Sequence, residues 1–238
     1  MGNIGYVGLT RQSGLLKEMQ VVANNIANLS TTGFRREGVV FAEFVRRAGS
    51  GVPSISFANA SGRLTDPRQG ALVATGARLD FAIEGDGFFL LDTPDGPRLT
   101  RAGAFSLGPG GELVNNDGYT LLDAGESPVF VPPDAADIAL SADGTLSADG
   151  RPLALIGAFL PADPNRLIRE PGTLFRAEGG ILPAGPVRLM QGYLESSNVS
   201  PVQELARMIE IQRAYELGQN FLDREDDRIR SVVRVLGQ

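Results

Sequence analysis

The sequence contains no histidine and no cysteine. That removes imidazole bases, thiolate nucleophiles, Cys/His zinc sites and disulfides together, and leaves carboxylates as the remaining catalytic acids and bases. A chain without thiols is indifferent to the redox state of its compartment. Lysine is nearly absent too: Lys17 is the only one among 22 basic residues. The cations are therefore guanidinium forks, whose rigid geometry suits fixed contacts and makes even Arg→Lys a real change. No run of 18 apolar residues occurs, so a membrane span is not expected. The opening MGNIGYVGLTRQSGLL lacks a compact basic region followed by an apolar core, and Gln12, Lys17 and Glu18 interrupt any candidate. No Sec-type signal is expected, which leaves the cytosol or a route of exit that needs no cleaved signal.

What is present is enough for one large domain or two modest ones. The 238 residues are 42% hydrophobic and 21% charged, which excludes wholesale disorder but leaves fibrous assembly open. A formal charge of -6 argues against a general nucleic-acid binder, which needs cations to replace counterions on phosphate. The acidity is local. Residues 1–50 carry a net +3, residues 51–200 a net -8 and residues 201–238 a net -1. The middle also holds 21 of the 30 glycines and 14 of the 15 prolines, residues that break helices and make turns between short strands.

Both ends read as helices. From about Tyr6 or Leu9 to Leu29, the series Leu9, Leu16, Ala23, the pair Met19, Ile26 and the series Leu15, Val22, Leu29 each repeat at seven, forming a broad apolar face. Gly8 and Gly14 weaken it. Ser200 and Pro201 open a second helix that runs to Leu236 with Gly218 as its interior breaker. Met208, Tyr215, Leu222, Ile229 and Leu236 form an unbroken heptad line. The companion line Ile211, Gly218, Glu225, Val232 looks defective as a seam. The simplest burial packs Leu16, Met19, Ala23 and Ile26 against the Met208 to Ile229 line. The helical pair is expected to be labile in the free chain, and Ile229→Asp to strike its buried face.

Between the ends, Leu79 to Ile83 alternates, Phe88 to Leu91 is apolar throughout, and Asp-Gly pairs recur at 95–96, 117–118, 143–144 and 149–150, so many short antiparallel strands are expected. Residues 36–79 read as extended connections with short strands. The expected fold class is α+β: a discontinuous terminal helical domain of antiparallel N- and C-terminal helices (1–35 and 197–238), an extended linker (36–79) and a central all-β domain (80–196).

Few residues invite chemistry. Asn24, Asn25 and Asn28 are poor helix formers clustered at a helix end; they either face solvent or hydrogen-bond to the Ser30 to Gly33 turn or to another subunit, and Gln12 and Gln20 extend that polar line. Glu84 and Asp86 flank Gly85 as an acid/base pair would, but an Asp-Gly turn explains them better. The acidic stretches Asp134–Asp137 and Asp143–Asp149 lack the ligand spacing of a calcium loop. Arg35-Arg36 and Arg46-Arg47 read as charged surface, facing solvent or acidic patches on neighbouring subunits. No catalytic, cofactor or metal site is expected.

The segment Gln20-Val21-Val22-Ala23-Asn24-Asn25-Ile26-Ala27-Asn28-Leu29-Ser30-Thr31-Thr32-Gly33-Phe34-Arg35-Arg36 resembles the N-terminal signature of the flagellar rod, hook and hook-filament axial proteins. Gly85-Asp86-Gly87-Phe88-Phe89 and Leu99-Thr100-Arg101-Ala102-Gly103-Ala104-Phe105 resemble its middle. Gln191-Gly192-Tyr193-Leu194-Glu195-Ser196-Ser197-Asn198-Val199, with Gln212-Arg213-Ala214-Tyr215-Glu216, resembles its C-terminal motif. The short middle is closest to proximal-rod members, with distal-rod members as the alternative. The resemblance implies a non-enzymatic structural subunit of the bacterial basal-body rod, in the periplasm. It would be exported by the flagellar type III apparatus and polymerise with other rod proteins and with itself. A reading from another class is a secreted β-domain carbohydrate-active enzyme, which needs two carboxylates converging in an open groove.

Overall fold

The computed structural model describes residues 2–46 and 55–236, and the side chains of residues 8–40, 62–232 and 234. The fold is α+β. Helix α1 spans Gly2–Ala27 and helix α2 Pro201–Leu236, and short antiparallel strands occupy the middle. Two compact units result. One gathers residues 1–29, 36–66 and 199–238; the other gathers residues 30–35 and 67–198.

In the first unit α1 and α2 pack against each other, and α1 also packs on a long hairpin. The hairpin differs from the reading of 36–79 as an extended linker with short strands, because its strands are ten and eleven residues long. Strand β1 (Glu37–Arg46) and strand β2 (Ile55–Thr65) pair antiparallel from Glu37↔Thr65 to Arg46↔Ile55, with a register shift between Val40 and Phe41. Residues 36–66 thereby group with the helices. The local sequence of β1 is rich in β-branched and aromatic residues, which suit a strand. The partner that decides for a strand begins at Ile55, nine residues after Arg46 in the sequence, and escapes a local periodicity count.

The helices run antiparallel, as expected. A Cβ on Gly8 would meet the Leu222 side chain, Gln12 bonds to Tyr215, Glu18 to Arg207 and Asn25 to Glu204, so position rises on one helix as it falls on the other. The 36 residues of α2 extend about 54 Å at ~1.5 Å per residue. Among the described residues no helix is long and apolar enough to cross a membrane.

The second unit is built on a seven-stranded antiparallel sheet. Its order is Leu167–Arg169, Leu174–Ala177, Arg98–Thr100, Phe89–Asp92, Thr120–Leu122, Leu113–Val114 and Ser106–Leu107. A three-stranded meander covers Ile138–Leu140, Thr145–Ala148 and Arg151–Leu155. Two late strands return to early ones: Arg188–Gln191 pairs with Phe81–Glu84, and Tyr193–Glu195 with Leu72–Ala74. The core is aromatic at its centre. Phe105 meets Phe81 at 5.9 Å and Phe89 at 5.6 Å between ring centroids, and Leu91, Leu113, Leu121, Val129 and Leu146 close around them.

Gly33 shows why the turn after α1 has the sequence it does. Its φ is +70°, and a Cβ there would lie 2.3 Å from the Ala102 nitrogen, so both conformation and space demand glycine.

Candidate assembly surface on the terminal helices

Among the described residues of α1 the buried side chains are Gln12, Glu18, Val21, Val22 and Asn25, three of them polar. Among those of α2 they are Glu204 and Ile211, with Met208, Tyr215, Gly218, Leu222 and Glu225 half-buried beside them. The seam of α2 thus follows Glu204, Ile211, Gly218 and Glu225, the line whose Gly and Glu look like defects in the sequence. The proposed packing of Leu16 and Ala23 against Ile229 needs correcting. Leu16 is 43% exposed, Ala23 is exposed, and Ile229 is 43% exposed. Met19, Ile26, Met208, Tyr215 and Leu222 flank the seam rather than fill it, and Leu236 lies outside the described side chains.

The reason is geometric. Leu16 and Glu18 are separated by about 200° around the helix, so burying one exposes the other. The close approach of the two backbones is made by small residues. A Cβ on Gly218 would stand 2.6 Å from the Gln12 amide nitrogen, and one on Gly8 2.7 Å from a Leu222 methyl. These glycines cost helix propensity but admit side chains from the facing helix.

Each polar seam residue has a defined partner. Gln12 Nε2 donates to the Tyr215 carbonyl at 3.0 Å. Arg207 donates from Nε and Nη2 to one oxygen of Glu18 at 2.8 and 2.5 Å. That bond is the main reason the Arg207 guanidinium titrates above its usual value. Asn25 makes the most of its amide. Its Nδ2 donates to the Glu37 carbonyl at 2.8 Å and its Oδ1 accepts from the Glu37 nitrogen at 3.0 Å, as a neighbouring strand would. The same Nδ2 donates to Glu204 at 3.0 Å, and Glu204 also takes Arg36 at 2.5 Å. One fully buried asparagine therefore ties α1 to the base of β1 and to the first turn of α2. Asn28 bonds back to Asn24 at 2.8 Å, while Gln20 is exposed.

With the seam polar, apolar residues are left outside. Leu9 and Leu16 form an exposed stripe on α1, and Val202, Leu205 and Ile209 form another on α2. Leu217 and Phe221 continue the exposed apolar surface further along α2.

Arg35 and Arg36 are not the surface pair the sequence suggested. Arg36 reaches Glu204, while Arg35 is 1% exposed and meets Glu195 at 3.0 Å. Successive residues of an extended segment point opposite ways, which separates the doublet. Glu195 also meets Arg101 at 3.1 Å and accepts the Gly70 nitrogen at 3.0 Å. Burial lowers Arg101 to about 10, against the opposing pull of Glu195, so it remains a cation at neutral pH. Arg169 lies between the rings of Phe34 and Phe175, 4.3 and 4.8 Å from their centroids. The reading of Arg46-Arg47 lies outside the described side chains.

Of the remaining candidates, Asp143 and Asp149 accept hydrogen bonds from loop and strand backbone. Glu84 and Asp86 are exposed beside an open depression of about 300 Å³, and Glu84 pairs with Arg188 at 3.4 Å. Asp149 accepts the Ala136 and Asp137 nitrogens at 3.2 and 3.0 Å, and Asp143 accepts from Thr145 at 3.1 Å. Among the described residues no His/Cys/Asp/Glu group is arranged to hold a metal ion.

Comparison with known proteins agrees along the whole chain. Residues 6–35 match the flagella basal body rod protein family, residues 82–148 the flagellar hook protein FlgE/F/G D1 domain, and residues 190–235 the flagellar basal body rod FlgEFG protein C-terminal family. The flagellar basal-body rod protein FlgF of Rhizobium meliloti is 36% identical, over 98% of this chain and 97% of its own. The chain belongs to the flagellar basal-body rod protein family. FlgF of Caulobacter vibrioides is 37% identical over 100% and 99% of the two chains, and FlgG of Bacillus subtilis 30% identical over 97% of each. This member is a structural subunit of the basal-body rod, and the FlgF relatives favour the proximal-rod reading over the distal-rod alternative. The matched N-terminal segment contains Asn25 and the C-terminal one contains Glu204, so the seam lies within the family's own segments.

Sequence reasoning missed Glu204, Glu195 and the notch at Gly218. A usable signal existed for two of them: Glu204 and Gly218 share a heptad line with Ile211. No local signal marks Glu195, whose partners lie 94 and 160 residues away.

Proposed function

We propose that this rod subunit polymerises with copies of itself and with other rod proteins through the outer faces of α1 and α2, and that it catalyses no reaction. The observation that carries this is the inversion of the helical unit. Leu9 is 62% exposed and Val202 77%, while the seam between the helices holds Gln12, Glu18, Asn25 and Glu204. Apolar surface left outside a folded unit at helical spacing marks a contact with another chain. The helical unit is the assembly domain of the chain and the β unit a self-contained body. Export through the flagellar type III apparatus, residence in the periplasm and indifference to nucleic acid complete the reading, the last supported by the charge of -6.

The test is Leu9→Gln with Leu16→Gln in cells, with secretion, protease resistance of the β unit and rod incorporation measured together. Secretion and protease resistance stay normal while incorporation and motility fall. Normal incorporation would sink the proposal.

A further inference from the structure

The helical unit holds two kinds of surface able to pair helices, and they differ in selectivity. The stripes Leu9/Leu16 and Val202/Leu205/Ile209 are apolar, and apolar attraction is non-directional. Such stripes pair in several registers, with either end of the same chain or with another copy. The seam is the opposite, since its polar side chains bond to defined partners at fixed positions.

Gln12 is the sharpest case. Its side chain is 7% exposed and enters the space left by the missing side chain of Gly218. Its Nε2 is satisfied by the Tyr215 carbonyl, but its Oε1 is buried without a hydrogen-bond partner among the described residues. A half-satisfied buried amide costs stability compared with an apolar side chain of similar size. Sliding α1 by one heptad on α2 would set Gln12 against Ile211 or Glu225 instead of the notch. It would also part Asn25 from Glu204 and Glu18 from Arg207.

We propose that Gln12, seated in the notch at Gly218, is a selectivity residue: it fixes the register of α1 on the α2 of its own chain and thereby keeps the apolar stripes outside for neighbouring copies. Only the last clause rests on the assembly reading. The physical precedent is a polar residue in a coiled-coil seam, which sets register and partner at a cost in stability.

The full-length chain offers a clean measurement because it has no native cysteine. Nitroxide labels on Ser13→Cys and Glu216→Cys, both exposed, report the helix register as a distance. Labelling the two positions on separate chains reports pairing between copies. The unaltered chain gives one intrachain distance and only a low level of interchain pairing. Gln12→Leu keeps or raises the denaturation midpoint of the helical unit. It also splits the distance distribution and raises interchain pairing about tenfold, the worth of one good hydrogen bond. Gly218→Ala, which pushes the Gln12 amide out without changing it, gives the same splitting.

A single unchanged distance in both variants, or a midpoint lowered in Gln12→Leu with register intact, would overturn the proposal, as would a broad distribution in the unaltered chain. If neither variant forms the helix pair while the β unit stays folded, the contact serves folding itself and the selectivity role is equally lost. These distances are measured on the free chain, so they stand or fall apart from rod incorporation of the Leu9/Leu16 variant.

Discussion

Asn25 and Glu195 are the two residues on which the units are most sensitive. Asn25→Ala strands the N–H and C=O of Glu37 in a buried site and removes a donor to Glu204. Each orphaned group costs about 1–3 kcal/mol, so a loss of about 3 kcal/mol is expected in the helical unit by denaturant titration. Asn25→Asp does no better, because a second carboxylate would face Glu204 where an amide now donates. Glu195 is the shared counter-ion of Arg35 and Arg101, all three almost fully buried. Glu195→Gln removes the carboxylate that both buried guanidinium groups meet, and breaking such a buried pair costs about 3–5 kcal/mol. The expected outcome is a destabilised β unit with the chemistry of the surface unchanged. Glu170 contributes to the pH response. Hydrogen bonding from Arg98, at 2.6 Å, with support from Arg176 at 3.0 Å, holds its carboxyl below the usual value. A folded-state pKa below the unfolded one adds stability above the unfolded value of ~4.3, and that contribution is lost as pH falls through the folded value. The denaturation midpoint of the β unit should therefore drop as pH falls below about 4, with a shallower slope in Glu170→Gln.

At the scale of elements, the two faces of α2 should respond oppositely to substitution. Ile211 is 2% exposed and sits between Glu204 and Gly218 on the seam. Ile211→Ala leaves a cavity there and costs about 2–4 kcal/mol in the isolated chain. Leu205→Gln, on the outer stripe, should change the stability of the isolated chain by no more than about 0.5 kcal/mol, and its effect should appear only in rod incorporation. Ile229→Asp belongs to the second class rather than the first: at 43% exposure it puts a charge near water, so the chain folds and any loss is one of assembly. Circular dichroism of the purified variants separates the classes, and an Ile229→Asp chain with a collapsed helical signal would contradict this assignment.

For the whole molecule, the balance of buried apolar surface predicts two opening free energies. In the helical unit the described buried apolar side chains are Val21, Val22, Val199 and Ile211, whereas the β unit closes around Phe81, Phe89, Phe105, Phe159, Phe175 and their aliphatic neighbours. At about 25 cal/mol per Å² the second core is far the stronger, so amides of α2 should exchange by a partial opening long before those of Phe89 to Leu91. Equal protection would contradict it. The sequence by itself determined the α+β class, the bounds of α2, the positions of the turns and the family, because helix period, Gly/Pro content and Asp-Gly turns are local and the motifs are contiguous. It could not determine the pairing of Glu37–Arg46 with Ile55–Thr65, strands that are separate in sequence, nor the separate destinations of Arg35 and Arg36. Nor could it say which face of each helix is inside. Periodicity ranks faces by apolarity and assumes that the chain buries its own most apolar face. In this subunit, tertiary structure decided otherwise: Gly8 and Gly218 let the backbones come close, polar groups found partners more than 170 residues away, and the apolar faces were left to the surface.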